Sequence, residues 1–336
     1  MATMSKASLY SASGILKIYK NGENNWFDYF RFLAFRGDIM ALKLDNKKKG
    51  IICILISAFF FSGMSSFINL SGDVPIVQKV FFRNLVAFFL ASATLIKNHE
   101  PFKPKKGCLP YHILRSSAGL LGVFGNFYAT THMAHTPDAA MLNKMSPFFT
   151  LIFSAIFLKE KVKLRQAVAI FIAFLGALFV IKPSFANAEL LPSIAGFVGG
   201  MCAGGAYTCV RHMGNKGENG RFTVFFFSAF SVAVTAPYLL FNYYHMSWYQ
   251  FFCLIMVGVC AAGGQFGITA AYTFAPSREI SVYDYSNIIF TAIEGYLFLG
   301  QGFPDALSLI GYAIICAMAI WMFIYNNRFA KAQGQS

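Results

Sequence analysis

Charged residues are scarce in this chain. Only 12% of its 336 residues are charged, whereas 57% are hydrophobic. So few charges cannot cover the surface of a soluble protein of this length, which excludes a soluble globular domain. The polar stretches between apolar runs, such as 71–74 and 301–304, are also too short to hold a soluble catalytic module. The composition therefore indicates a polytopic membrane protein.

The sequence also lacks the short motifs of several enzyme and metal-binding classes. It contains no glycine-rich phosphate loop, no nucleophile elbow and no HExxH sequence. Its seven cysteines show no CxxC spacing and lie mostly inside apolar runs, so structural disulfides are not expected. His132, His135 and Asp138 are close in sequence but have no evident fourth ligand. We therefore predict no metal site, no cofactor and no catalytic residue.

What the chain does contain is a series of ten apolar runs, each near the ~20 residues that a helix needs to cross a bilayer. The runs lie at 50–70, 75–96, 110–131, 139–158, 164–181, 191–213, 222–241, 248–271, 280–298 and 306–325. The sequence thus predicts an all-α integral membrane protein with ten transmembrane helices.

The basic residues alternate from one loop to the next. Clusters of Lys and Arg precede the first run and follow the second, fourth, sixth, eighth and tenth, while the other loops contain only Lys182. Because basic residues concentrate on the cytoplasmic side, both termini are predicted to be cytoplasmic. The formal net charge of +14 is then a topology signal, and nucleic-acid binding is not expected. The expected location is a bacterial plasma membrane.

The two halves of the chain resemble each other. A shift of 141 residues places Phe149 on Phe290, and a shift of 142 places Gly122 on Gly264. Each half holds five predicted spans, an odd number, so the second half must enter the bilayer in the opposite sense. The predicted organisation is a cytoplasmic segment 1–49, a first repeat 50–182 (spans 1–5), a second repeat 191–325 (spans 6–10) and a cytoplasmic tail 326–336.

The N-terminal segment allows two interpretations. Residues 26–36 read WFDYFRFLAFR, an aromatic and basic composition typical of a helix that lies along a membrane surface. Met40 begins a short basic leader directly before the first span, so residues 1–39 are equally a candidate for a dispensable extension.

Polar residues recur at equivalent positions of predicted spans 4 and 9. In each span, three of them are spaced three and then four residues apart, which is one helix face. Such stripes are expected to line a polar cavity shared by the two halves. The candidate substrate-binding residues are Arg83, Asn126, Asn143, Lys144, Ser146, Thr150, Tyr207, Gln265, Asp284, Asn287, Thr291 and Glu294.

Three cations are predicted to face one acid in the outer half of the membrane, namely Lys79, Arg83 and Lys144 against Glu294. Arg83 suits binding of a carboxylate or phosphate because its guanidinium offers two parallel donors. The alternatives are an ion pair between Arg83 and Glu294, and a Lys79 that extends to the outer surface. Asp284 and Glu294 are candidates for proton coupling, because burial favours the neutral form of a carboxyl group.

Pro147 and Arg115 each allow a structural interpretation. Pro147 has no N–H and leaves the carbonyl of Asn143 without its helical donor, which indicates either a hinge beside the cavity or a simple kink. Arg115 lies one turn inside predicted span 3 and is expected to anchor that helix at the interface, with a ligand contact as the alternative.

Two stretches carry a family resemblance: FFRNLVAFFLA in span 2 and NKMSPFFTLIFSAIFLKEKVKLRQAVAIFIAFLGALFVIKP across spans 4 and 5. They resemble the EamA family of the drug/metabolite transporter superfamily, ten-helix branch. Pro147 and Glu160 match the proline and the "LxE" position of that family, whereas Ile288 and Gln301 of the second copy depart from them. The resemblance implies transport of a small molecule through a central cavity between the repeats.

We therefore expect a secondary transporter that moves a small anionic or zwitterionic metabolite, such as an amino acid or a nucleoside-like compound, by alternating access. Membrane lipids and coupling protons are the other expected partners. An intramembrane lipid-modifying enzyme is one alternative. A channel or lipid scramblase, whose flux would not saturate, is another.

Overall fold

A computed structural model describes residues 46–157, 164–182, 189–274 and 281–332, and these described residues are helical without any strand. The helices are α1 (Asn46–Leu70), α2 (Ile76–Lys97), α3 (Leu109–His132), α4 (Thr136–Asn143), α5 (Ser146–Phe157), α6 (Leu164–Ile181), α7 (Leu190–Asn215), α8 (Gly220–Phe241), α9 (Trp248–Phe274), a 3-10 turn (Ser281–Tyr285), α10 (Ser286–Leu299) and α11 (Ala306–Ala332). The interpretations of residues 1–39 and of Glu160 fall outside the described residues.

Within the described ranges, eight spans are long and apolar enough to cross a membrane, with α4 and α5 counted together as one span, Thr136–Phe157. The two remaining predicted spans correspond to α3 and α10. Helix α3 has 24 residues but contains His112 and Arg115, and α10 has only 14 residues. The all-helical membrane fold is confirmed, and the count of ten spans stays a prediction.

The most extensive helix contacts join the two predicted halves of the chain. Helix α3 packs along α7, and α1 packs along α9. Helices α6 and α11 form a third such pair, and α2 and α8 a fourth. Each of these pairs contains one helix that ends before residue 182 and one that begins after residue 189. Each half therefore obtains its main packing partners from the other.

Glycines allow the closest of these contacts. A Cβ on Gly125 of α3 would lie 2.5 Å from the carbonyl oxygen of Ala195 on α7. A Cβ on Gly267 of α9 would lie 3.0 Å from Cβ of Ser57 on α1. Helices in lipid depend on such close packing, because no hydrophobic driving force brings them together there.

The two glycine contacts are related by one sequence shift. Gly125 of α3 approaches Gly199 of α7, just as Gly267 of α9 approaches Ser57 of α1. A shift of 142 residues carries Gly125 to Gly267 and also carries Ser57 to Gly199. The contact between α3 of the first half and α7 of the second half therefore recurs between α9 of the second half and α1 of the first half.

Candidate functional site

An interrupted helix and a 3-10 turn meet in the interior of the protein. Helix α4 ends at Asn143 and α5 begins at Ser146, so Lys144 and Met145 lie between them. Pro147 is the second residue of α5, where a helix needs no N–H from it. On the other side, the 3-10 turn Ser281–Tyr285 leads directly into α10.

An ion pair joins these two interruptions. Lys144 Nζ lies 2.5 Å from Asp284 Oδ2, and the side chains are only 11% and 18% exposed. The hydroxyl group of Tyr285 donates a hydrogen bond of 3.1 Å to the carbonyl oxygen of Lys144. The broken segments of the two halves are therefore tied by a charge pair and by a cap on a backbone carbonyl group.

Two buried arginines lie against one aromatic ring. Arg83 of α2 is 5% exposed and Arg115 of α3 is 7% exposed. Their Cζ atoms lie 5.6 Å and 3.9 Å from the centre of the Phe227 ring on α8. The face of the ring attracts both cations. Arg83 also donates a hydrogen bond of 2.7 Å to Asn84 Oδ1.

Several donors of these arginines are buried without a partner. Arg83 Nε, Arg115 Nε and Arg115 Nη1 make no hydrogen bond to any residue that the structure describes. The ion pairs found among the described residues do not include either arginine. A buried cation without an acid is unfavourable, because nothing replaces the water that it has lost.

Tyr207 of α7 connects the arginines with the ion pair. Its phenol group lies close enough to interact electrostatically with Arg83, Arg115 and Asp284. Tyr207 is nevertheless 46% exposed. We refer to Arg83, Arg115, Lys144, Asp284 and Tyr207 as the central charge cluster. With a neutral phenol group, the cluster has three positive charges against one negative charge.

The polar residues of α10 contact α1. Asn287 Nδ2 donates to the carbonyl oxygen of Ala58 at 2.8 Å, and Ser66 Oγ donates to Glu294 Oε2 at 2.7 Å. Thr291 Oγ1 donates to the carbonyl oxygen of Asn287 in its own helix. These three side chains of α10 are buried. In this conformation they hold two helices together, and their role in substrate binding stays a prediction.

The polar residues of α5 contact α7. Thr150 Oγ1 lies 2.8 Å from the carbonyl oxygen of Ser146 and 3.2 Å from that of Gly204. Ser146 is buried and Asn143 is half-buried. The carbonyl oxygen of Asn143, which the proline was predicted to leave free, faces α7 at Gly200, where a Cβ would lie 3.3 Å from it.

The remaining candidates lie on α3 and α9, which pack along α7 and α1. Asn126 of α3 and Gln265 of α9 are half-buried. His132, His135 and Asp138 do not form a cluster, since no three potential metal ligands of the His, Cys, Asp and Glu types come together within the described ranges.

Two of the alternatives considered for the basic residues are wrong. Lys79 does not extend to the outer surface, because it is fully buried. Its Nζ donates to the carbonyl oxygens of Ile68 and Gly72 at 3.0 Å and 2.9 Å, at the end of α1, where a cation is favourable. Arg83 does not pair with Glu294, whose carboxylate is bonded to α1.

The expected interface role of Arg115 is also wrong. An anchor at the membrane surface would keep its guanidinium exposed, whereas Arg115 is buried against Phe227. The sequence does contain one signal for a buried position of Arg115, namely a cation inside an apolar run without an acid on the same helix face. That signal shows that a partner is needed and does not identify the partner.

The fold and the buried charges define a multi-pass helical membrane protein with a polar interior, which is the arrangement of solute transporters. Residues 48–182 match the EamA-like transporter family. The family resemblance seen in the sequence is thereby confirmed: the chain is similar to the EamA-type transporters of the drug/metabolite transporter superfamily.

Relatives that match most of the chain agree with this similarity. The pseudopaline exporter CntI of Pseudomonas aeruginosa is 28% identical, over 82% of this chain and 96% of that protein. An uncharacterized transporter of Helicobacter pylori is 25% identical, over 79% of this chain and 91% of that protein. Human solute carrier family 35 member G1 is 26% identical, over 75% of this chain and 73% of that protein. The descriptions of these relatives are those of transporters rather than enzymes, which supports membrane transport as the function class.

One solved crystal structure has the same fold. It superposes with a TM-score of 0.61 at 12% sequence identity and covers 84% of this chain and 99% of its own chain. At this identity the likeness concerns the fold alone.

Proposed function

We propose that this protein is a secondary transporter that moves a small metabolite carrying a carboxylate or phosphate group by alternating access. The observation that carries the proposal is the central charge cluster, which places three cations and one carboxylate inside a membrane protein. A net positive interior is unfavourable when empty and is stabilised when an anion enters it. The relatives support transport as the function class, and the cluster supports the charge of the substrate.

The helix pairs α3–α7 and α9–α1, which are equivalent contacts between the two halves, support an alternating-access mechanism with two inverted repeats. Glycine-lined contacts such as that of Gly125 with Gly199 leave few side chains to obstruct movement of one half against the other. The Lys144–Asp284 pair joins the halves at their interrupted segments, where a helix bends most readily. In this mechanism the pair breaks and re-forms as the cavity opens alternately to the two sides.

Proton coupling is a separate part of the proposal. Asp284 and Glu294 are carboxyl groups in the interior, and Glu294 contacts a hydroxyl group rather than a cation among the described residues. A proton taken up at either group would change the charge of the interior during the cycle. If Asp284→Asn and Glu294→Gln together leave transport and its dependence on a pH gradient unchanged, coupling through these groups is wrong.

Transport is tested with the full chain in proteoliposomes. A thermal-shift screen of carboxylated and phosphorylated metabolites identifies compounds that bind, because a ligand of the folded state raises its stability. We expect saturable flux of such a compound and a loss of at least about tenfold in kcat/KM for Arg83→Met, since a charge-assisted bidentate contact contributes ~1.5–3 kcal/mol. Export is the direction to measure first, because one relative is a pseudopaline exporter.

Arg165→Met is the matched control, since Arg165 is an exposed arginine whose Cζ lies 5.9 Å from the centre of the Tyr325 ring. It is expected to transport as the unchanged chain does. Flux that never saturates would indicate a channel and contradict the proposal.

A further inference from the structure

We infer that Arg83 and Arg115 form a single binding site for a doubly charged anionic group, either a phosphate or a pair of carboxylates, on the transported molecule. This inference rests on the proposed function and narrows its substrate class. Arg83 comes from α2 and Arg115 from α3, so the site is built by the packing of two helices on Phe227 of α8.

The first argument is that two like charges lie close together without compensation. Arg115 and Arg83 are near enough to interact electrostatically, and the interaction is repulsive. Both side chains are more than nine-tenths buried, so water screens this repulsion weakly. Neither arginine forms an ion pair with an acid in the part of the chain that the structure describes. A protein retains such an arrangement when a ligand supplies the missing negative charge.

The second argument is the set of free donors. Arg115 Cζ lies only 3.9 Å from the centre of the Phe227 ring, so the guanidinium group packs against the ring. Arg115 Nε and Nη1 and Arg83 Nε are the donors left unpaired. Gly119 leaves space for the Phe227 ring and the Arg115 guanidinium, since a Cβ there would lie 3.1 Å from a Phe227 ring carbon and 3.6 Å from Arg115 Nη1.

The third argument concerns the charge of the ligand. The central charge cluster has an excess of two positive charges, because Asp284 already balances Lys144. One carboxylate neutralises one guanidinium through two oxygens. A phosphate group has about −1.5 to −2 charge and three acceptor oxygens, which matches two arginines. Tyr207, which interacts electrostatically with both arginines, is 46% exposed, so the central charge cluster is not enclosed on every side.

Binding is tested on the purified full-length chain in detergent, by thermal shift at constant ionic strength. The probes are inorganic phosphate and succinate, with acetate and chloride as singly charged controls. We expect saturable stabilisation by phosphate or succinate only, and an apparent affinity at least tenfold weaker in Arg83→Met and in Arg115→Met. Arg165→Met is expected to bind as the unchanged chain does. Equal stabilisation by acetate, or unaltered affinity in Arg115→Met, overturns the inference.

The stability of the ligand-free protein is a second readout. Methionine keeps an apolar stem against Phe227 but removes the unpaired charge, so Arg115→Met is expected to raise the unfolding temperature without ligand. Arg115→Lys keeps the charge and is expected not to raise it. A merely structural arginine gives the opposite result, and a fall in the unfolding temperature of a monodisperse Arg115→Met protein overturns the inference.

Lipid head groups are the other source of phosphate. The chain is therefore also placed in nanodiscs of neutral lipid and of anionic lipid. Phosphate is expected to stabilise the protein equally in both. If anionic lipid alone gives the full stabilisation and phosphate adds nothing, the site binds lipid and the assignment to substrate is wrong.

Transport by the same variants separates this inference from the proposed function. Saturable transport with an unchanged KM in Arg115→Met removes Arg115 from the site and leaves the transporter proposal intact. Binding of phosphate or succinate through both arginines, without saturable flux of any ligand in the unchanged chain, removes the transporter proposal and leaves the anion site.

Discussion

Buried basic side chains in this protein differ in what satisfies them. Lys79 donates to carbonyl groups at the end of α1, and Lys144 pairs with a carboxylate of the other half. Arg83 and Arg115 lie on an aromatic ring and keep unpaired donors. The same charge thus caps a helix in one place, joins two halves in another and packs on an aromatic ring in a third.

The Lys144–Asp284 pair gives the first prediction. Lys144→Met leaves a carboxylate in the interior without its cation, so we expect a loss of ~1–3 kcal/mol in the free energy of unfolding. Asp284→Asn should also destabilise, whereas the double variant should lose less than the sum of the two. A double-mutant cycle from unfolding of the purified protein measures the coupling. Additive losses would mean that the two groups do not interact.

Sequence reasoning placed Lys144 and Asp284 among the candidates for one site but did not pair them, because it set Lys144 against Glu294; the pairing with Asp284 corrects that prediction. A shift of 141 residues placed Asn143 on Asp284, which brought the two interrupted spans into one predicted site. A partner across helices, however, depends on how each helix is rotated about its axis. Glu294 therefore binds Ser66 of α1, and Arg115 lies on Phe227 of α8, in ways that no spacing along one helix predicts.

Between helices, the contact of α3 with α7 is limited by backbone atoms. Gly125→Ala would place a Cβ 2.5 Å from the carbonyl oxygen of Ala195, so the helices must separate. We expect a loss of ~1–3 kcal/mol in stability from this overpacking. Gly214→Ala on α7 is the control, since no atom lies within 4 Å of the position that its methyl group would take, and it should change stability by less than ~1 kcal/mol. Equal effects of the two variants would show that the contact is loose.

A second prediction about contacts between helices concerns the turn between α7 and α8. Burial alone would raise the pKa of Glu218, but hydrogen bonds from the N–H groups of Lys105 and Asn219 and from the His112 ring lower its pKa below 4.5. The carboxylate ties this turn to the segment between α2 and α3.

A lowered pKa means that Glu218 stabilises the folded state above pH 4.5 and loses this effect as the pH falls through its folded value. Glu218→Gln should therefore melt at a lower temperature than the unchanged chain at pH 7. The difference should shrink as the pH approaches 4 and below, which melting curves across this range measure. A difference independent of pH would exclude an electrostatic origin.

The helix boundaries follow the sequence closely except at predicted spans 4 and 9, the second of which begins with the 3-10 turn Ser281–Tyr285. Predicted span 3 at 110–131 is observed as Leu109–His132. Predicted span 4 at 139–158 is instead divided at Lys144 and Met145. An apolar run shows that a segment lies in the membrane, but hydropathy does not reveal where Pro147 starts a new helix, because proline is accommodated in a first turn.

For the chain as a whole, topology is the open prediction, because α3 and α10 are less typical spans than the other helices. If α3 crosses the membrane, the segments before and after it lie on opposite sides. Lys103→Cys and Ala134→Cys place exposed thiols in these two segments. We expect an impermeant maleimide to label position 134 on intact cells and position 103 only after permeabilisation, with the wild-type chain as control. Labelling from the same side would exclude α3 as a span.

The exchanged packing of the helices has a consequence for how the chain is made. When the ribosome has completed the residues up to Lys182, α1 and α3 are in the membrane, but their partners α9 and α7 do not yet exist. The surfaces of α1 and α3 that later pack on these partners then lack them until translation supplies the later helices. A nascent chain that stops between the halves therefore has helix surfaces without their packing partners. It is a substrate for quality-control proteases and can pair with another incomplete copy.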